Sequence, residues 1–178
     1  IEVTVIPGAS AVVSALAISG ISSRRFCFEG FLTTDKNEKK EILTELSQES
    51  RTIILYEAPH RLLKTLKELF ECLGDRKISI VRELTKLHEE VIRGNLGNII
   101  ADYESCDIAV RGEYVLVIEG KSLLEKRSER QKSFEEISIK EHFDKYILMG
   151  FDKKEAMKAV AKDRGIQKRE VYKELIGE

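Results

Sequence analysis

Apolar and polar positions along this 178-residue chain follow two rhythms, one near period two and one near 3.6. Residues 3–7 (VTVIP) read as a strand, and Gly8 turns the chain into a stretch over 9–19 rich in alanine and other small residues. Residues 25–32 alternate enough for a strand and run into the polar turn TTDKN. Over 38–47, Ile42, Leu43 and Leu46 fall at helical spacing, and TIILY (52–56) is a short buried strand. Over 61–73, Leu62, Leu63, Leu66, Leu69 and Phe70 share one stripe, and Gly74 supplies the stop. Strands at 77–82 and 89–93 flank LTKLH, a helix follows over 95–103, and EYVLVI (113–118) is a strong strand closing at Gly120. Strands alternating with helices, with some direct strand-to-strand steps, predict an α/β layered domain with a mixed sheet over 1–120.

The pattern changes after residue 120. Residues 121–139 are dense in charge and poor in large apolar groups, which predicts a charged linker with at most transient helix. A small helical domain over 140–178 follows. Asp152 and Glu155 stand at capping-box spacing, and Ala156, Met157, Val160 and Ala161 form an apolar stripe. Gly165, Ile166, Val171 and Leu175 then complete the spacing of two short helices crossing at a tight turn, as in a helix-turn-helix. Such spacing serves nucleic-acid contact, through Lys168, Arg169 and Lys173 on the second helix, or a hairpin that only packs; the pattern leaves both open.

Composition narrows the classes. Thirty basic residues against 31 acidic give a net charge of −1, but 15 Lys and Arg face 12 Asp and Glu beyond residue 120. A mildly basic tail on an acidic body permits nucleic-acid contact without requiring it. No apolar run approaches the length of a membrane span, and the opening IEVTVIPGAS carries no secretory signal. Its start without Met, inside a strand-like run, suggests a piece of a longer protein. Cys27, Cys72 and Cys106 are odd in number and far apart, and His60, His88 and His142 fall into no ligand spacing. Neither disulfides nor a metal site is expected, and a reducing cytoplasm suits the chain.

Three motifs bear on chemistry. PGASA (7–11) couples a strand end to a helix start, where small residues let backbone approach a ligand and free N–H groups favour an anionic or carbonyl group. It serves equally as a tight structural turn. YEAPHR (56–61) gathers Tyr56, Glu57, His60 and Arg61 at a strand's C-terminal end, where α/β sheets place ligands. RELTKLHEE (82–90) packs Arg82, Glu83, Lys86 and His88 into one inter-strand loop, a composition shared with plain solvated loops.

Taken together, PGASAVVSALAISG, FCFEGFL, YEAPHRL, RELTKLHEEVIRG and RGEYVLVIEG occur in the order and spacing of one family. The chain resembles the bacterial 16S rRNA cytidine-2′-O-methyltransferases of the tetrapyrrole methylase superfamily, over roughly residues 3–120, with the tail extending the likeness. YEAPHR with RELTK-HEE is specific to that branch, whereas PGxSA marks only the superfamily; Ala9 stands where the family more often has Pro. The resemblance implies a tetrapyrrole-methylase C-terminal domain, with the end of an inter-domain connection at 1–20, and a helical tail.

It also implies S-adenosylmethionine as cofactor, held between this domain and an N-terminal one before Ile1, so the fragment alone is expected to be inactive. Ser10 and Ala11 would meet the cofactor, Tyr56 and the Arg82–Glu83 backbone would line its pocket, and Val115 would lie nearby. Glu83, Glu57 and His60 are the base candidates, and Lys86 would stabilise a developing alkoxide, with Glu83 and Lys86 favoured. Arg61, Arg24 and Arg25 would touch phosphates, and Lys168 and Arg169 would meet structured RNA. The implied partners are 16S rRNA in the 30S subunit and a second copy of the chain. Two alternatives stand beside this reading: a small-molecule tetrapyrrole methylase, and a non-catalytic nucleic-acid-binding module.

Overall fold

The computed structural model describes residues 8–105 and 112–176, in two compact units that divide between Lys121 and Ser122. In the first unit the strands are β1 (Phe26–Phe31), β2 (Thr52–Glu57), β3 (Lys77–Arg82), β4 (Glu90–Asn95) and β5 (Tyr114–Ile118). They form one sheet in the order β1-β2-β5-β3-β4, with β1 and β2 parallel and every other neighbouring pair antiparallel. This is the mixed sheet that the direct strand-to-strand steps predict. The strand expected over 3–7 and Cys106 lie outside the described residues.

Alternation along the strands feeds two cores. Ile53, Leu55, Ile78, Ile80, Leu116 and Ile118 face helices α2 (Lys36–Gln48), α3 (Leu62–Leu73) and α4 (Leu96–Ser105). Ile54, Val81, Val115 and Val117 face the other way, against Val12, Ala15 and Leu16 of α1 (Ala11–Ser19). Helix α3 buries Leu62, Leu66 and Leu69 completely, as its stripe predicts, and each such burial contributes roughly 1.5–3 kcal/mol. A 3-10 turn at Pro59–Arg61 precedes it, because proline suits a first helical turn whose N–H has no partner.

The second unit holds α5 (Leu123–Glu135), α6 (Ile139–Leu148), α7 (Lys153–Arg164) and α8 (Lys168–Ile176). Most of the segment expected as a linker is therefore helix. Ser122 and Glu125 close a full capping box at its start, and Phe134 stacks on His142 with ring centroids 3.9 Å apart. Gly165 ends α7 in the left-handed region (φ 67°), and Val160, Ala161 and Val171 form the core with Met157, Ile166 and Leu175 around them. Among the described residues no helix is long and apolar enough to cross a membrane.

Candidate functional site

A cleft of about 150 Å3 opens where the start of α1 meets the β3–β4 loop and the beginning of β5. Ala9, Ser10, Ala11 and Ser14 line one side; Glu83, Leu84, Thr85, Lys86, Glu113 and Val115 line the other. Helix α1 is fixed from its far end. Arg93 of β4 donates from Nε to the Ser19 carbonyl (3.1 Å) and from its terminal nitrogen to the Ile18 carbonyl, a cation on the carbonyls at a helix C-terminus. At the other end Ser10 takes the N-cap position with extended backbone, and its side chain makes no capping hydrogen bond. The first N–H groups of α1 therefore remain donors without an intrahelical partner, next to the cleft.

The facing loop is strained and self-braced. Glu83 (φ 51°) and Thr85 (φ 65°) both occupy the left-handed region that non-glycine residues rarely adopt. Glu83 Oε1 accepts from Lys86 Nζ (3.0 Å) and from the Glu113 backbone N–H (3.3 Å), while the Thr85 N–H donates to Glu89 Oε2 (2.6 Å). Gly112 (φ 82°) passes so near that a Cβ there would overlap the Glu83 carboxylate. The Lys86 hydrogen bond holds Glu83 below the usual carboxylate range, and the same bond pushes Lys86 up. At neutral pH the pair is thus a carboxylate and an ammonium in contact.

The structure brings Ser10, Ala11, Glu83, Lys86 and Val115 together around this cleft, and the other candidates do not line it. Tyr56 pairs in register with Val115 but lies between Phe28 and Phe31, at centroid distances of 4.9 and 5.5 Å. Glu57, next along the strand, points to the opposite face. It is 1% exposed and accepts from Thr65 Oγ1 (2.5 Å) and the Ala58 N–H (2.8 Å), with Arg61 Nε 3.6 Å away. Its geometry is that of a buried brace joining β2 to α3, out of reach of the cleft as a base. Arg61 also donates to the Leu32 carbonyl (3.0 Å), so its guanidinium is already engaged within the fold. His60 is exposed on the 3-10 turn, outside the cleft lining. Arg82, expected to contribute backbone, ends β3 directly before the cleft residue Glu83, and its side chain pairs with Glu90 at 3.0 Å. Arg24 and Arg25 are exposed immediately before β1, and Lys168 and Arg169 are exposed at the start of α8 in the other unit. Ser14, Thr85, Gly112 and Glu113 join the site beyond the residues that the motifs point to. For Gly112-Glu113 the turn-forming glycine before a strong strand was the available signal.

The profile of the Tetrapyrrole (Corrin/Porphyrin) Methylases matches residues 1–100. Ribosomal RNA small subunit methyltransferase I of Bacillus subtilis is 47% identical over 94% of this chain, and that of Halalkalibacterium halodurans is 41% identical over 97%. The chain spans 56% and 58% of the length of those two relatives. Among solved structures, the methyltransferase CobJ superposes with a TM-score of 0.50 at 20% identity, covering 67% of this chain and 51% of that one, a likeness of fold. With more than half of its residues matching the family profile, and with the mixed sheet and helical covering described above, the chain belongs to the tetrapyrrole methylase family.

Proposed function

We propose that this chain is part of an S-adenosylmethionine-dependent methyltransferase that modifies a cytidine 2′ oxygen in 16S rRNA of the small ribosomal subunit. One observation carries the reading: relatives alignable over nearly the whole chain bear an rRNA methyltransferase name. The cleft supports it, because its two sides supply the groups such chemistry needs.

The donor set suits the cofactor on one wall. Ala9, Ser10 and Ala11 are small, and the uncapped start of α1 offers N–H groups to a carbonyl or carboxylate oxygen. At about 150 Å3 the cleft is smaller than the 300–1,000 Å3 common for small-molecule sites, so these residues form part of a larger pocket. When bound, the cofactor supplies an electrophilic methyl whose transfer to oxygen leaves a neutral thioether. This chain's residues then have two tasks. Lys86, kept cationic by Glu83, stabilises negative charge developing on the ribose oxygen, and Glu83 accepts the hydroxyl proton once Lys86 turns toward that oxygen. The braced loop holds the Glu83 carboxylate and the Lys86 ammonium at the cleft before substrate arrives, and the movement left to make is the turn of the Lys86 side chain.

The test uses the protein at its relatives' full length, with methyl-labelled S-adenosylmethionine and unmodified 30S subunits, followed by alkaline digestion of the rRNA. Label in an alkali-resistant dinucleotide is the expected result, since a methylated 2′ oxygen cannot attack its own phosphodiester. Cofactor binding without label in rRNA would move the reading to a small-molecule substrate, and absence of cofactor binding would favour a binding module. The 178-residue chain alone is expected to transfer no methyl group, because its cleft is only part of a pocket.

A further inference from the structure

On the face of the sheet shared with α1, strand β1 carries a row of aromatic rings that stand about half exposed. Phe26, Phe28 and Phe31 are 40%, 46% and 59% exposed. Regular alternation would put Phe26 and Phe28 on one face and Phe31 on the other. A bulge prevents this: the register jumps between Phe28 and Gly30, with Phe28 opposite Ile54, Gly30 opposite Leu55 and Phe31 opposite Tyr56. Ile54 and Tyr56 belong to the α1 face and Leu55 to the other, so the extra residue returns Phe31 to the side of Phe28. Gly30 permits the bulge with φ 75°. The outcome is a line of three phenylalanines, joined at its end by Tyr56, which meets Phe28 edge-on (69°) and Phe31 at 55°.

We propose that this row is a stacking platform for single-stranded RNA, gripping the bases beside the nucleotide that enters the cleft. The proposal rests on the rRNA-methylation reading and deepens it. Arg24 and Arg25 are exposed at the start of the row, and neither side chain has a hydrogen-bond or ion-pair partner among the described residues, which suits phosphates. At its other end Tyr56 pairs with Val115, a lining residue of the cleft, so the row runs from two exposed cations to the candidate site. Five residues of strand span about 16 Å, enough for roughly three nucleotides to lie along it. Bases stack on aromatic rings whatever their sequence, because every base has a π-face. Two exposed cations at the head of the row favour a polyanion over an apolar protein face as the occupant.

The test compares the 178-residue chain with its Phe28→Leu and Phe31→Leu variants, and with Arg24→Ala/Arg25→Ala. The probe is a dye-labelled single-stranded 12-nucleotide RNA, read by fluorescence anisotropy over a salt series, with circular dichroism confirming folding. Leucine keeps the apolar bulk at these exposed positions and removes the ring. The proposal expects each leucine variant to bind about five- to a hundredfold more weakly, with Phe28→Tyr near wild type. The double arginine variant should lower the salt slope by roughly 0.7 for each phosphate no longer neutralised. Wild-type RNA binding that is unchanged in both leucine variants would overturn the platform while leaving the rRNA reading intact. Absence of RNA binding by the wild-type chain would count against both. A shift from dimer to monomer on Phe28→Asp in sedimentation, with RNA affinity unaltered, would assign the row to a protein interface and overturn the proposal.

Discussion

Every side chain of β5 from Tyr114 to Ile118 is buried, whereas α6 of the helical unit buries only His142. The α/β unit is held by apolar layers on both faces of a sheet. The helical unit has a core of a few small residues and adds polar fastening. Arg164 donates from Nε to His142 Nδ1 (3.3 Å) and from its terminal nitrogen to the Ile137 carbonyl, and Tyr146 donates to Asp163. His142 Nε2 lies 3.5 Å from Asp163, and its ring stacks on Phe134. Both Ser122 and Ser138 close capping boxes. A small unit without enough apolar area relies on directional bonds, which are sensitive to charge state in a way that apolar layers are not.

That contrast can be broken at several points. The largest effect is expected from Leu66→Ala, which empties a fully buried site in α3 while keeping a good helix former. It should cost the α/β unit about 2–5 kcal/mol, with hydrogen-exchange protection lost there and little changed in α5–α8. Arg164→Ala should do the reverse. It leaves the Ile137 carbonyl and His142 Nδ1 without their donor, at roughly 1–3 kcal/mol, and should open the helical unit selectively in the same measurement.

Acid sharpens the comparison. Burial, and then the charge of Arg164, hold His142 below the ordinary histidine range, although Asp163 pulls the other way. The folded unit therefore prefers the neutral ring, and the unfolded chain takes up the proton first. The stabilising contribution is complete above the ordinary value of about 6.5 and declines as pH falls below it. In the α/β unit, the Arg51 hydrogen bond holds Glu49 at about 2, so its contribution is complete above the ordinary carboxylate value and is lost only as pH falls from there toward 2. Residue-resolved exchange between pH 7 and 5 should show α6 and α7 opening before the sheet. Equal protection of both units across that range would remove His142 from the account. The smallest effect belongs to Lys67, whose pairing with Glu104 is about half exposed on both sides; Lys67→Ala should change stability by less than about 1 kcal/mol.

The same contrast explains what the sequence revealed. Strand β3 falls where ISIV and its flanks predict it, because burial on both faces leaves a continuous apolar run. Helix α5 was hidden: its stabilising features are a capping box and contacts made by Phe134 and Gln131, while its own residues are nearly all polar. The opposite placement of Tyr56 and Glu57 is legible in the sequence, since neighbours on a strand point to opposite faces and cannot both serve one pocket. The bulge at Gly30 leaves a trace: a glycine interrupts the strand, and Phe31 falls out of the alternation set by Phe26 and Phe28. The left-handed backbone of Glu83 and Thr85 is not legible, because RELTK contains no glycine to signal the turn. The pairing of Glu83 with Lys86 follows from that turn, and so came from the fold.

The most direct test of the central claim, that the cleft between α1 and the Glu83–Lys86 loop is the methyl-transfer site, is single-turnover kinetics of the full-length protein. Wild type, Glu83→Gln and Lys86→Met would be compared on 30S subunits, with S-adenosylmethionine affinity measured alongside. Transfer should slow about 10²–10⁴-fold in Glu83→Gln and markedly in Lys86→Met, with cofactor affinity within a few-fold of wild type. Near-normal transfer in both variants would contradict that claim and place the chemistry elsewhere in the protein.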